Sequence, residues 1–234
     1  TTAGQGSEVM IPAMAPEVPR LAILGSREWY SADGPRFCRE LGRALARRFP
    51  ALVLVTNGHD AVQHMVAEGF LLEAFQLGRR IGSEGCLVRQ LVPGDVPDAI
   101  SPLPARASSE AAAVERVVAG STHAEARNAL AVAADAYILI SGGPGSAAVA
   151  ELGHRQGRPV LCVPASGGAA AGNFWLPKDL TRAPTWLLRQ AAGEATWAAL
   201  SAGEQVRVDP AKAAHLAAEA LFLTLSARHP RAKL

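Results

Sequence analysis

The residues whose types and spacing could do chemistry are Ser141, Gly142, Gly143, Pro144, Gly145 and Ser146. The apolar run Ile138-Leu139-Ile140 leads straight into them, and the helix-forming stretch Ala147 to Glu151 follows at once. Glycines let backbone N–H groups approach a ligand, and a helix N-terminus carries partial positive charge. Together they make an anion site, most often one for a phosphate. A bare strand-to-helix turn is the alternative.

Two more turns carry similar residues. Gly25-Ser26-Arg27 ends the apolar run Leu21-Ala22-Ile23-Leu24, and Asn57-Gly58-His59-Asp60 ends Leu52-Val53-Leu54-Val55. Arg27 suits a bidentate phosphate clamp. His59 suits phosphate contact or proton transfer. The plain alternatives are a surface arginine and an exposed turn histidine. His123 precedes Arg127 by one helical turn, so the two share a face. His64 and His154 read as helix-surface residues.

These residues need elements to position them. Apolar periodicity predicts helices over 35–49 and 61–77, with a third strand over 86–92. Residues 93–110, rich in proline, serine and acid, read as a long surface loop. Glu110 to Ala119 reads as a short helix or strand. Ser121 or Thr122 caps a helix running to about Ala134. Strands over 136–140 and 158–163 flank a helix over 147–156, and residues 166–172 read as a flexible loop. Helices over 186–200 and 210–227 follow, the latter opened by the cap pair Asp209-Pro210. Trp186 and Trp197 are expected to pack these tail helices onto the sheet. Strand–helix alternation predicts a doubly wound, mostly parallel α/β sheet with C-terminal helices packed on it. In such a sheet the turns after the strands line one edge, where ligands bind. Residues 1–19 read as a disordered lead-in and 20–230 as a single nucleotide-binding domain with a helical extension.

Composition narrows the function classes. The 234 residues are 49% hydrophobic and 19% charged, with a net charge of +2. The basic residues are scattered, and Arg43, Arg47 and Arg48 read as a solvated helix face, so no nucleic-acid partner is expected. No apolar run reaches membrane-span length. No signal peptide is evident, so cytoplasmic residence is expected. Cys38, Cys86 and Cys162 lie far apart without metal-binding spacing, which predicts buried free thiols, no metal and no bound cofactor.

At this level the chain resembles the SLOG superfamily. The resemblance rests on Gly25-Ser26-Arg27, Asn57-Gly58-His59, Arg127-Asn128 and Gly142-Gly143-Pro144-Gly145-Ser146, and spans roughly residues 21–165. This Rossmann-like group includes the Lonely Guy phosphoribohydrolases, often labelled lysine decarboxylases, and the molybdenum-cofactor carrier proteins. It implies a nucleotide or other phosphorylated small molecule as partner, and a homodimer. Enzymes of the group carry a Gly-Gly-x-Gly-Thr turn with a glutamate three residues after the threonine. Here Ser146 stands for the threonine and Val149 for the glutamate. Glu151 lies two residues on, about 200° around a helix. Counted back from Asp135, the enzymes' arginine falls at Ala126, one place before Arg127.

N-glycosidic cleavage needs a carboxylate beside a developing oxocarbenium ion. Three readings follow. One is a nucleoside 5′-monophosphate phosphoribohydrolase using Arg127 and Glu151, with Asp60 and His59 as further replacements. Another is a non-catalytic binder or carrier of a phosphorylated cofactor such as molybdenum cofactor. A structural or signalling module with an empty crevice is a third.

Overall fold

Short apolar runs separated by amphipathic stretches leave the chain one efficient arrangement, parallel strands buried beneath crossover helices. The structure, a computed structural model, describes residues 18–28, 31–58, 61–79, 87–94, 113–202 and 208–230. Strands β1 (Arg20–Leu24), β2 (Val53–Thr56) and β3 (Val88–Val92) alternate with helices α1 (Gly34–Arg48) and α2 (Ala61–Gln76). Strand β4 (Val114–Val118) follows, then α3 (His123–Ala133), β5 (Ala136–Ile140), α4 (Pro144–Arg155) and β6 (Val160–Val163). The chain continues through α5 (Thr185–Leu188), α6 (Gly193–Ser201) and α7 (Pro210–Arg228).

All five strand pairings are parallel, in the order β4-β3-β2-β1-β5-β6. The order reverses direction at β1, which pairs with β2 on one side and β5 on the other. That is the switch point where a doubly wound sheet opens a crevice beyond its carboxyl ends.

Side-chain alternation divides the core between the two faces of the sheet. Leu21, Ile23, Leu54, Ile138 and Leu161 meet α1, α2 and α7 on one face, with Phe49 and Phe70 fully buried among them. Each such side chain contributes about 1.5–3 kcal/mol on burial. Ala22, Leu24, Val55, Tyr137 and Leu139 meet α3, α4 and the segment 169–180 on the other face.

Several expectations change in detail. The ambiguous stretch 110–119 contains β4, paired with β3 from Val88↔Val114 to Val92↔Val118. The expected helix over 186–200 is two helices, Thr185–Leu188 and Gly193–Ser201, and Gly193 lies so close to the Leu187 carbonyl that no Cβ fits there. The arginines of α1 are more than a solvated face. Arg47 binds Glu73 of α2 in a fork at 2.7 and 3.1 Å, and Arg48 binds Glu219 of α7 while lying 3.8 Å above the Phe222 ring. They join the three helices of that face. The stretch read as flexible forms two short 3₁₀ turns, Pro164–Ser166 and Gly168–Ala171. Trp186 and Trp197 pack, partly buried, against the first core, as expected. Cys38 and Cys162 are buried free thiols, whereas Cys86 and most of the 93–110 loop lie outside the described residues.

Candidate functional site

The glycine turn after β5 is held by its neighbours before any ligand is considered. Ser141 has a φ of +56°, a conformation that non-glycine residues seldom adopt. Two hydrogen bonds hold it there. Its N–H donates to Ser166 Oγ at 2.5 Å, and its own Oγ donates to the Ser166 carbonyl at 2.8 Å. Ser166 Oγ in turn donates to the Val163 carbonyl. Gly142 follows with a φ of +91°, and a Cβ there would stand 2.9 Å from Leu139 and 3.0 Å from Ser146. Ala170 and Ala169 donate N–H bonds to the carbonyls of Ser141 and Gly142 at 2.9 and 2.8 Å. The turn is therefore fixed from beneath by the first residues after β6.

Helix α4 starts here, with Gly143 as its N-cap residue, Pro144 next and no side-chain cap. The first N–H to find an acceptor within the helix is that of Ala147, on the Gly143 carbonyl at 3.0 Å. The amides of Gly145 and Ser146 precede it and have no such acceptor. Ser146 Oγ donates to the Gly25 carbonyl at 2.6 Å, which stitches the β5 turn to the β1 turn. Nothing lies within 4 Å of a Cβ built on Gly143, so that side of the turn is open.

Arg127 of α3 lies across this helix end. A Cβ built on Gly145 would stand 3.0 Å from Arg127 Cδ and 3.3 Å from its Nε and Nη1. Among the described residues no hydrogen bond or ion pair engages that guanidinium. A cation laid over the positive end of a helix is mutually repulsive, and an anion between them relieves both. Ala126, where the enzymes' arginine would fall, is buried. Thr122 caps α3 through a capping box with Glu125 and so fixes which residues face the cleft.

The cleft has a volume of about 470 Å³. Gly25, Ser26, Arg27, Asn57, His123, Arg127 and Gly143 to Ser146 all line it. The resemblance had marked most of these, and the fold brings them together. Apolar walls come from Leu24, Leu130, Pro144 and Val149. The charged groups among the described lining residues are Arg27, Arg127 and Glu28, with His123 beside them.

The β2 turn differs. The N–H groups of Asn57 and Gly58 both donate to Gln63 Oε1 at 2.9 Å. Asn57 Nδ2 donates to the carbonyls of Leu91 and Ala126 at 3.1 and 3.3 Å. This asparagine joins β2 to β3 and α3, and its donors already have internal acceptors. Gly25 is likewise structural, because Val62 leaves no room for a Cβ. Glu151 does not line the cleft and pairs with Arg155 at 2.6 Å. Val149 lines the cleft and is 4% exposed. His59 and Asp60 lie outside the described residues.

Sequence reasoning missed Gln63, Ser166 and Phe174. Gln63 carried a faint signal, six residues after Asn57 on the first turn of α2. Ser166 and Phe174 carried none, since their roles depend on contacts between distant segments.

The cleft lies at the switch point of the parallel sheet, the edge at which doubly wound α/β folds hold their ligands. No protein-family model matches the chain, and no curated protein matches it. Solved structures similar to it include the structural-genomics target TM1055, at 22% identity over 65% of this chain and 78% of that one, with a TM-score of 0.49. A Moco carrier protein from Chlamydomonas reinhardtii is 22% identical over 89% of this chain and 99% of that one, with a TM-score of 0.48. The molybdenum cofactor binding protein of the phototrophic bacterium Rippkaea orientalis is 15% identical over 63% and 77%, with a TM-score of 0.43. These likenesses concern the fold alone.

Proposed function

We propose that this protein binds a phosphorylated small molecule, a nucleotide or a phosphorylated cofactor such as molybdenum cofactor, and holds it without cleaving it. The observation that carries this reading is the unpaired Arg127 guanidinium across the uncapped start of α4. A phosphate seated there accepts from the Gly145 and Ser146 amides and from the guanidinium together. The resemblance adds a homodimer to the reading.

Against cleavage stands the position of the carboxylates. Val149 occupies the place where the resembling enzymes carry a glutamate, and Glu151 is engaged by Arg155 outside the cleft. Glu28 is the one carboxylate lining the cleft among the described residues. At Val149 itself an oxocarbenium-like state meets an apolar side chain in place of a carboxylate, and loss of one such electrostatic contribution costs on the order of 10²–10³ in rate.

Incubation with AMP and other nucleoside 5′-monophosphates, followed by chromatography for free base, tests this. Raised melting temperatures with the nucleotides and no base release are expected. Val149→Glu is expected to raise hydrolysis. Robust release by the native chain overturns the binder reading. Its loss in Glu151→Ala would then name Glu151, and its loss in Glu28→Gln would name Glu28.

A further inference from the structure

The segment leaving the second 3₁₀ turn contains an unusual corner. Phe174 and Trp175 both have a φ of +57°, and the Leu176 N–H donates to the Asn173 carbonyl at 3.4 Å. Successive positive φ values inside a four-residue turn are the pattern of a type I′ turn, which favours Asn-Gly. Two aromatic residues occupy it here. Strain of this sort persists only where the surroundings over-determine it, and it concentrates at functional sites.

The surroundings do over-determine it. Asn173 donates its N–H to the Gly168 carbonyl at 3.3 Å, and Gly172 to the Ala169 carbonyl at 2.9 Å. Ala169 in turn bonds the Gly142 carbonyl of the glycine turn. The aromatic corner and the anion-binding turn are thus parts of one hydrogen-bonded unit. Phe174 lines the same cleft as Arg127, Gly145 and Ser146, whereas Trp175 is 91% exposed and does not line it.

We infer that Phe174 is the stacking platform for a planar heteroaromatic ring carried by the phosphorylated ligand. This rests on the anion-binding reading of the same cleft. The cleft's 470 Å³ is far more than a phosphate group fills and lies within the range of about 300–1,000 Å³ typical of drug-sized ligands. Leu24, Leu130, Pro144 and Val149 give the remainder an apolar lining. Apolar walls, an aromatic side chain and the Arg27 and Arg127 guanidinium groups in one cavity match a ring joined through a spacer to a phosphate. Base–aromatic stacking is tolerant of ring identity, since each base presents a π-face.

Calorimetric titration of the full chain with AMP, GMP, a pterin monophosphate and ribose 5-phosphate tests the inference. At least one ring-bearing ester is expected to bind about tenfold tighter than ribose 5-phosphate, the size of one stack. Phe174→Asn keeps a residue that tolerates positive φ and removes the ring. It is expected to abolish the preference, so that the ring-bearing esters bind no tighter than ribose 5-phosphate. If that variant fails to fold, Phe174→Gly, which adopts this φ freely, replaces it. Trp175→Asn is expected to keep the preference. The inference is overturned if native protein binds ribose 5-phosphate as tightly as each ring-bearing ester. It is also overturned if the preference survives loss of the Phe174 ring, or disappears with Trp175 instead. Absence of binding by all four ligands, ribose 5-phosphate included, defeats the anion-binding reading itself.

Discussion

The turns after β2 and β5 look alike in sequence and do opposite things. Asn57-Gly58 and Gly142 to Ser146 each end a buried strand and open a helix. At the β2 turn, Gln63 Oε1 accepts both backbone N–H groups and Asn57 binds two carbonyls. At the β5 turn the first helical amides have no side-chain acceptor, and a free arginine lies over them. A small-residue turn is therefore no evidence of a ligand in itself. What distinguishes the two is whether an internal acceptor meets the exposed donors.

The contrast breaks most sharply with Gly145→Asp. The new side chain enters beside Arg127 Nε, pairs with it, and puts a negative charge where the anion belongs. Nucleotide affinity is expected to fall at least 100-fold, about 3 kcal/mol, with a far-ultraviolet circular dichroism spectrum like the native one. Unchanged affinity in a folded variant would mean that ligands bind elsewhere. Gln63→Leu does the reverse. It strips the shared acceptor from two buried N–H groups and should cost about 2 kcal/mol in denaturant unfolding. Its ligand affinity, once folded, should change less than threefold. A large affinity loss there would show that both turns serve the ligand.

The last effect concerns the strands beneath the open turn and is absent near neutral pH. Burial raises the Tyr137 hydroxyl of β5 and the Cys162 thiol of β6 to about 12, from ordinary values of 10.0 and 9.0. Their neutral forms are favoured in the folded protein. The stability they contribute is thus full below pH 9 and is lost as pH rises toward 12. Denaturant midpoints should be flat near neutrality and decline from pH 9 upward. A chain equally stable at pH 8 and pH 11.5 would show that neither group is held neutral by folding.

Much of this architecture was legible beforehand. The parallel order followed from alternating apolar runs and helical stretches, and Asp209-Pro210 capped α7 as read, with Asp209 Oδ1 accepting from Ala211 N at 3.2 Å. The β5 turn and Arg127 were legible because their spacing is local. Strand β4 was ambiguous because its residues alternate poorly, since it lies at the sheet edge and is mostly half-exposed. The engagement of Asn57 was illegible for another reason: its acceptors, Leu91 and Ala126, lie 34 and 69 residues away. The positive φ of Phe174 contradicts local propensity, so no reading of local propensity alone would place it there.

The reversal of strand order at β1 has a kinetic consequence. β1 meets β2 early in the chain, but its other edge waits for β5, and the bond from Arg20 N to Asp135 Oδ2 spans 115 residues. Closing so long a loop is slow, because chain entropy is lost before the contact forms. During synthesis the first four strands can assemble while the glycine turn has yet to be made. The cleft is then among the last features to appear, and a chain halted before β5 has four of the six strands and lacks the glycine turn.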